Sequence, residues 1–135
     1  MALFDYDSTL QALVEAQISL DDNPINIKNI HHIIIHSSEG YTIPHIHIQR
    51  RGENDCCVML NENRFFDHGD DNDGLLNAKE CRELNRWFKE RNFDIPEITN
   101  WGVFATYWNQ IPNVKFKVDL TKQPDYSTIK RYKQK

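Results

Sequence analysis

The sequence has no uninterrupted apolar run long enough to span a membrane, and residues 1–7 lack the basic start and apolar core of a secretory signal. We therefore expect a cytoplasmic protein with no membrane association. The sequence also has no excess of positive charge, because 16 Lys and Arg stand against 20 Asp and Glu, for a formal net charge of -4. A surface devoted entirely to nucleic acid is not expected, although a local basic patch is compatible with this balance.

Cysteine is scarce, and the three cysteines are an odd number. Cys56 and Cys57 are sequence neighbours, and on a strand their side chains point to opposite faces, which is poor geometry for a mutual disulfide. We predict reduced thiols, with Cys81 on a separate helix. The length of 135 residues, of which 39% are hydrophobic, predicts one α+β domain over 1–122. A basic tail over 123–135 is expected to be extended or frayed.

Histidine and isoleucine are concentrated in two neighbouring segments. Residues 44–48 read PHIHI, so a strand here sends both imidazoles to one face and both isoleucines to the other. Residues 30–36 read IHHIIIH, which is a second β-branched run, and the intervening residues 37–42 have the Ser and Gly content of a turn. Together they predict a β-hairpin rich in histidine.

The register of this hairpin follows from matching its apolar faces. A tight turn centred on residues 39–40 sets Ile33 opposite Ile46 and His32 opposite His47. A slip by two residues keeps the same faces together, whereas a slip by one buries imidazoles among isoleucines. We therefore expect the isoleucines to face the core and the histidines to share an outward face.

The remaining segments predict an antiparallel sheet with helices on one face. Helical apolar spacing and capping residues predict three helices, Ser8–Leu20, Asn77–Arg91 and Asn100–Asn109. Further apolar runs predict strands or a strand stub at Cys56–Leu60, Arg64–His68 and Val114–Leu120. The expected fold is α+β, with an antiparallel sheet of four or five strands packed against two or three helices.

The predicted histidine face is the sharpest chemical signal in the sequence. Neutral imidazole is a common ligand of zinc, and an H-x-H on a strand presents two ring nitrogens on one side. His45 and His47, with His32 or alternatively His36, are candidate ligands of zinc or another divalent transition metal. The competing interpretation is a solvated polar face with no cofactor.

The acidic run after residue 69 resembles a calcium loop in part. Asp71, Asp73, Gly74 and Glu80 match its third, fifth, sixth and twelfth positions, but the first position is Gly69 and no helix is predicted ahead of it. A solvated turn whose charge favours the following helix N-terminus is the better interpretation.

Two basic clusters are candidate contacts for phosphates or for an acidic partner. Arg50 and Arg51 follow the histidine strand, and the C-terminal lysines and arginine lie near Tyr126 and Tyr132. Ordinary surface charge explains them equally well. Cys57 beside the histidines is conceivable as a nucleophile, although a cysteine in an apolar strand is more often packed and inert.

Three motifs resemble a family of small bacterial domains of unknown function that carries a P-H-x-H-[VI] signature. They are the PHIHI segment, the helix start at Leu76-Asn77 with Leu84 and Trp87, and the run from Asn100 to Asn109. The resemblance covers about residues 30–109. It implies a place in toxin–antitoxin or mobile-element gene pairs, with Pro44, His45 and His47 carried over, and it implies no known reaction.

The leading functional prediction is a cytoplasmic interaction module of a bacterial or phage conflict system. It would bind a protein partner through Pro44, His45, His47, Arg50 and Arg51. One alternative is a metal-dependent hydrolase or nuclease with His32, His45 and His47 as ligands. Another is a phage-encoded inhibitor of a host defence nuclease, in which the acidic loop imitates phosphates. The sequence alone does not decide whether the protein is an enzyme.

Overall fold

The computed structural model describes residues 30–53, 55–66 and 75–131, together with Ile27. Three strands, β1 (Ile30–Ile34), β2 (His45–Arg50) and β3 (Cys56–Met59), form an antiparallel sheet in the order β1-β2-β3. Two helices, α1 (Ala78–Lys89) and α2 (Asn100–Gln110), share one hydrophobic core with the sheet. Neither helix has the length and apolar character needed to cross a membrane.

The α+β class and the antiparallel sheet are confirmed, but four or five strands are not. Around Arg64 and Phe65 the chain makes only isolated bridges. The predicted strand at 114–120 is wrong, because side chains of α2 form hydrogen bonds with backbone groups of this segment. Trp108 Nε1 donates to the Phe116 carbonyl at 3.0 Å, and the Asn109 amide both donates to and accepts from Val118. The predicted helix Ser8–Leu20 and the acidic loop at 67–74 lie outside the described residues.

Both remaining helix predictions are confirmed, and local capping explains where each helix begins. Asn77 caps α1 through a reciprocal capping box with Glu80, the residue that the calcium-loop comparison placed at the twelfth position. Thr99 caps α2 by accepting from the Gly102 amide. The two helices bring Trp87, Phe88, Trp101, Phe104 and Trp108 into the core.

The β1–β2 register differs from the tight hairpin by two residues. Ile33 pairs with Ile48, and Ile34 pairs with His47. The cause is a longer connection, because residues 37–39 form a 3₁₀ turn in which the Glu39 amide donates to the His36 carbonyl. Since the slip is even, the predicted faces keep their residues. Ile33, Ile46 and Ile48 lie in the core, and His45 and His47 lie on the opposite side of β2.

The C-terminal segment is attached to the domain as far as residue 131. Tyr126 is buried, and its hydroxyl donates to the Met59 carbonyl at 2.6 Å. Farther along, Lys130 exchanges backbone hydrogen bonds with Asn63 and Phe65. The expectation of fraying is therefore wrong for residues 123–131, since an aromatic anchor and a short bridge hold them.

Candidate metal centre

The imidazole side of β2 is buried, so the expectation that it faces outward is wrong. His45 is 1% exposed and His47 is 3% exposed. The connection between β1 and β2 places Glu39 against both rings, and Phe66 stacks on His45 with ring centroids 4.2 Å apart. Buried imidazoles require polar partners. The carboxylate of Glu39 is the partner of His47, and the Ile43 carbonyl is the partner of His45.

Glu39 is the centre of the arrangement. Its Oε1 lies 2.7 Å from His47 Nε2 and 3.4 Å from His45 Nε2, and its side chain is largely buried. His36 is exposed, and its ring centroid is 4.4 Å from that of His47. Donor atoms of His36, Glu39 and His47 all lie within 4.8 Å of one another. We call these three residues the donor group.

The turn that carries Glu39 is fixed against the end of α2. Gly40 is required there, because a Cβ at this position would come within 2.8 Å of Ile111 Cγ2. The Lys115 amide donates to the Gly40 carbonyl at 2.9 Å. The Thr42 hydroxyl donates to the Glu39 carbonyl at 2.8 Å. The backbone around Glu39 is therefore fixed without a bound ligand.

The contacts of His45 define which of its ring nitrogens carries a proton. Nδ1 lies 2.8 Å from the Ile43 carbonyl oxygen, which can only accept, so Nδ1 carries hydrogen. In the neutral ring, Nε2 then presents its lone pair toward Glu39 Oε1, 3.4 Å away. A lone pair facing a carboxylate favours a cation near them. A metal ion or a second proton on His45 supplies that positive charge.

His47 is held from both ends. Its Nε2 meets Glu39, and its Nδ1 lies 3.3 Å from Cys57 Sγ, on the neighbouring strand. If a metal takes the Nε2 lone pair, Nδ1 carries the hydrogen and donates to the sulfur. A histidine ligand usually donates its second ring nitrogen to a carboxylate, a carbonyl or water, and here the weaker acceptor sulfur of Cys57 occupies that position. Cys57 is fully buried, which does not suit a nucleophile that must reach a substrate.

The adjacent cysteine has a different environment. Cys56 points into the hydrophobic core, as the alternation along β3 predicts, and burial raises the pKa of its thiol to about 12. Burial likewise raises the pKa of Cys81. All three cysteines are free thiols.

The structure brings together a different set of candidate ligands from the one that the sequence predicts. Of His32, His45 and His47, only His47 belongs to the donor group, and His45 adjoins it through Glu39. His32 is half-buried, lies on the same side of the sheet opposite Gln49, and is not in the group. His36, which the sequence predicts as the alternative to His32, is in the group instead.

Most of the residues predicted to bind a partner are buried. Arg51 is exposed, whereas the other four are buried, namely Pro44, His45, His47 and Arg50. Arg50 pairs with Glu53 at 2.7 Å. Arg50 is the last residue of β2, and the carboxylate of Glu53 follows three residues later, which is consistent with that pairing.

Glu39 is the candidate ligand that sequence reasoning misses, because residues 39–40 are predicted to form a hairpin turn. The available signal is its spacing from His36, since two intervening residues bring side chains to one side of a helical turn. A turn containing H-x-x-E before a PHIHI strand therefore indicates three converging side chains. No protein-family model, curated protein or solved structure matches this chain, so the proposed family resemblance stays a prediction.

Proposed function

We propose that this protein is a hydrolase that uses a divalent transition metal of the zinc class. His36, Glu39 and His47 are the protein ligands. The proposal is carried by one observation, the approach of these three donors to within 4.8 Å of one another around a largely buried carboxylate. Two imidazoles and one carboxylate are a ligand set that catalytic zinc sites use.

The burial of the donor group supports a metal site over an ordinary surface cluster. Glu39 and His47 are largely shielded from water, while His36 is exposed and forms the open side. Three protein ligands leave a coordination position for water. The metal would lower the pKa of that water and generate a nucleophile at neutral pH.

His45 is the proposed general base. Its Nδ1 hydrogen is committed to the Ile43 carbonyl, so its neutral ring has an unprotonated Nε2 on the side of Glu39. A nitrogen in this state accepts a proton from a metal-activated water. Its ring is held in place by stacking on Phe66.

The first test is a zinc titration of metal-free protein by calorimetry, paired with metal analysis after dialysis. We expect one zinc per chain in wild type and no stoichiometric zinc in Glu39→Gln. His36→Ala removes an exposed ligand without opening the core, so it tests the same point in a folded variant. His32→Ala is the matched control and keeps its zinc, because His32 lies outside the donor group.

Hydrolysis is tested with bis(p-nitrophenyl) phosphate. Zinc-loaded wild type should release nitrophenol, and EDTA or His36→Ala should abolish the release. His45→Gln should retain zinc and lose turnover, which separates a base from a ligand. Zinc-free wild type under saturating conditions, or equal zinc binding by His36→Ala and wild type, would overturn the assigned metal centre.

The interaction-module hypothesis stays a prediction that these residues do not favour. The binding surface in this hypothesis is the histidine side of the sheet. Of the five residues predicted to bind the partner, four are buried and Arg51 is exposed. The phage-inhibitor alternative depends on the acidic loop at 67–74, which lies outside the described residues. Among the described residues, neither of these two alternatives is supported by a cluster of side chains comparable to the donor group.

A further inference from the structure

Exposed apolar side chains are concentrated next to the donor group. Five large hydrophobic residues are exposed in the described part of the chain. Three of them lie on two segments, residues 41–43 and 115–117: Tyr41 is 69% exposed, Phe116 is 45% exposed and Ile43 is 38% exposed. We call these three residues, with Lys115 and Lys117, the rim.

The two segments of the rim are joined to each other and to the candidate metal centre. The Lys115 amide donates to the carbonyl of Gly40, the residue that follows Glu39. The Phe116 carbonyl accepts from Trp108 Nε1, and the Trp108 ring centroid lies 5.6 Å from that of His45. The rim is therefore one neighbourhood that borders the site, rather than a set of scattered surface residues.

The charge of the rim is positive. Lys115 and Lys117 are exposed on either side of Phe116, and Lys115 Nζ lies 5.4 Å from the centre of the Phe116 ring. Residues 40–43 and 111–118 contain no Asp or Glu. A cationic rim with exposed aromatic rings is notable on a chain whose formal net charge is -4.

This combination has a specific chemical preference. Exposed aromatic rings stack on unpaired bases, and neighbouring lysines attract the phosphates between them. A neutral or basic peptide gains no charge attraction from the lysines, and a duplex hides its base faces from the rings. Phosphodiesters are also substrates that a metal-bound water can attack.

We infer that the substrate of the proposed hydrolase is single-stranded nucleic acid. Its bases stack on Tyr41 and Phe116, and its phosphates lie along Lys115 and Lys117 toward the donor group. This inference rests on the proposed function for the cleavage step. Water is the co-reactant: its oxygen bonds to phosphorus, the bond from phosphorus to the leaving sugar oxygen breaks, and that oxygen takes a proton.

Strand binding is measured separately from cleavage, by fluorescence anisotropy of labelled 12-nucleotide DNA and RNA of mixed sequence in EDTA. We expect Tyr41→Ala and Phe116→Ala each to weaken binding about tenfold, the loss typical of one stacking side chain. Phe93→Ala is the matched control, because Phe93 is exposed on the α1–α2 connection and belongs to neither segment of the rim. It should bind as wild type does.

The lysines are tested through the salt dependence of the same binding. Lys115→Ala with Lys117→Ala should reduce the slope of log affinity against log salt by about 1.4, since each contact with a single strand contributes about 0.7. Lys79→Ala with Lys122→Ala removes two exposed lysines elsewhere and should leave the slope unchanged. Equal affinity for a 12-base-pair duplex would overturn the inference.

Zinc titration of the rim variants separates this inference from the proposed function. Both aromatic variants should bind zinc like wild type while losing affinity for the strand. Zinc binding and diester hydrolysis without strand binding would overturn the substrate assignment and leave the hydrolase standing. Strand binding by a protein that takes up no zinc would overturn the hydrolase and the cleavage step. It would still support the rim as a binding surface for single-stranded nucleic acid.

Discussion

The two faces of the three-stranded sheet are both buried, but they are buried by different chemistry. One face presents Ile33, Ile46 and Ile48 to the aromatic side chains of the helices. The other presents His45 and His47 to a carboxylate from the β1–β2 connection. The apolar face is stabilised in proportion to the apolar area that it buries. The imidazole face is stable only if its buried ring nitrogens have hydrogen-bond partners.

This difference teaches where stability and function reside in the molecule. The isoleucine face requires only apolar groups of the correct volume, so its residues contribute to folding. The imidazole face holds a carboxylate between two ring nitrogens, an arrangement that responds to protons and cations. Substitutions should therefore alter stability on the first face and ligand binding on the second.

The largest expected effect is on the isoleucine face. Ile46→Ala removes a fully buried side chain from β2 and leaves a cavity, so we expect a loss of about 2–5 kcal/mol in the free energy of unfolding. Urea denaturation in EDTA measures it. The matched control is Ile43→Ala, which truncates a partly exposed isoleucine of the same hairpin and should lower stability by much less. Equal losses in the two variants would contradict the core assignment.

The second effect belongs to the imidazole face and requires metal. Zinc at a free concentration about 100 times its dissociation constant should stabilise wild type by about 2.7 kcal/mol, because a ligand that binds only the folded state adds this much. Glu39→Gln should show no zinc-dependent gain, whereas Ile46→Ala should keep the full gain from its lower baseline. A zinc response in Glu39→Gln equal to that of wild type would mean that the ion binds elsewhere.

The hairpin shows what could be predicted from the sequence. Alternation along 44–48 assigned His45 and Ile46 to opposite faces, and this parity survived a two-residue error in register. Capping residues fixed the start of α1 at Asn77 with equal success, because a helix cap is a local interaction. These features depend on neighbours in the chain, so the sequence alone determines them.

The burial of the imidazoles could not be predicted in the same way. It depends on the connection between β1 and β2 returning over the sheet, which is governed by packing of Gly40 against Ile111, 71 residues later in the chain. The prediction of a strand at 114–120 is wrong for a similar reason, since Trp108 and Asn109 donate hydrogen bonds to backbone carbonyls of this segment. Alternation shows which residues share a face, but it does not show what covers that face.

Adjacent cysteines on β3 sharpen the comparison further. Cys57→Val removes the sulfur next to His47 Nδ1, so zinc affinity should fall by about tenfold or more, as for other partners of metal-bound histidines. Cys56→Val makes the same change one residue away on the core face and should leave zinc affinity unchanged. Calorimetric titration of both variants measures the contrast. A loss of equal size in both would indicate a general packing effect instead of support for His47.

The smallest effect is a pH dependence confined to the core face. Burial raises the pKa of Cys56 from its ordinary value of 9.0 to about 12. Below pH 9 the thiol is protonated in both the folded and the unfolded chain, so it adds no pH dependence. Between pH 9 and 12 the unfolded chain loses this proton and the folded chain keeps it, so stability falls as pH rises.

Removing the thiol should remove that part of the alkaline loss. Between pH 8 and pH 10, wild type should lose about 1.4 kcal/mol more of its free energy of unfolding than Cys56→Val does, because one proton is linked to unfolding over that interval. Urea denaturation at the two pH values, in EDTA, measures the difference. Cys81 and Tyr126, whose pKa values are also raised by burial, contribute equally to both proteins and cancel. An identical alkaline loss in Cys56→Val and wild type would mean that Cys56 ionises in the folded chain, which contradicts a dry isoleucine face.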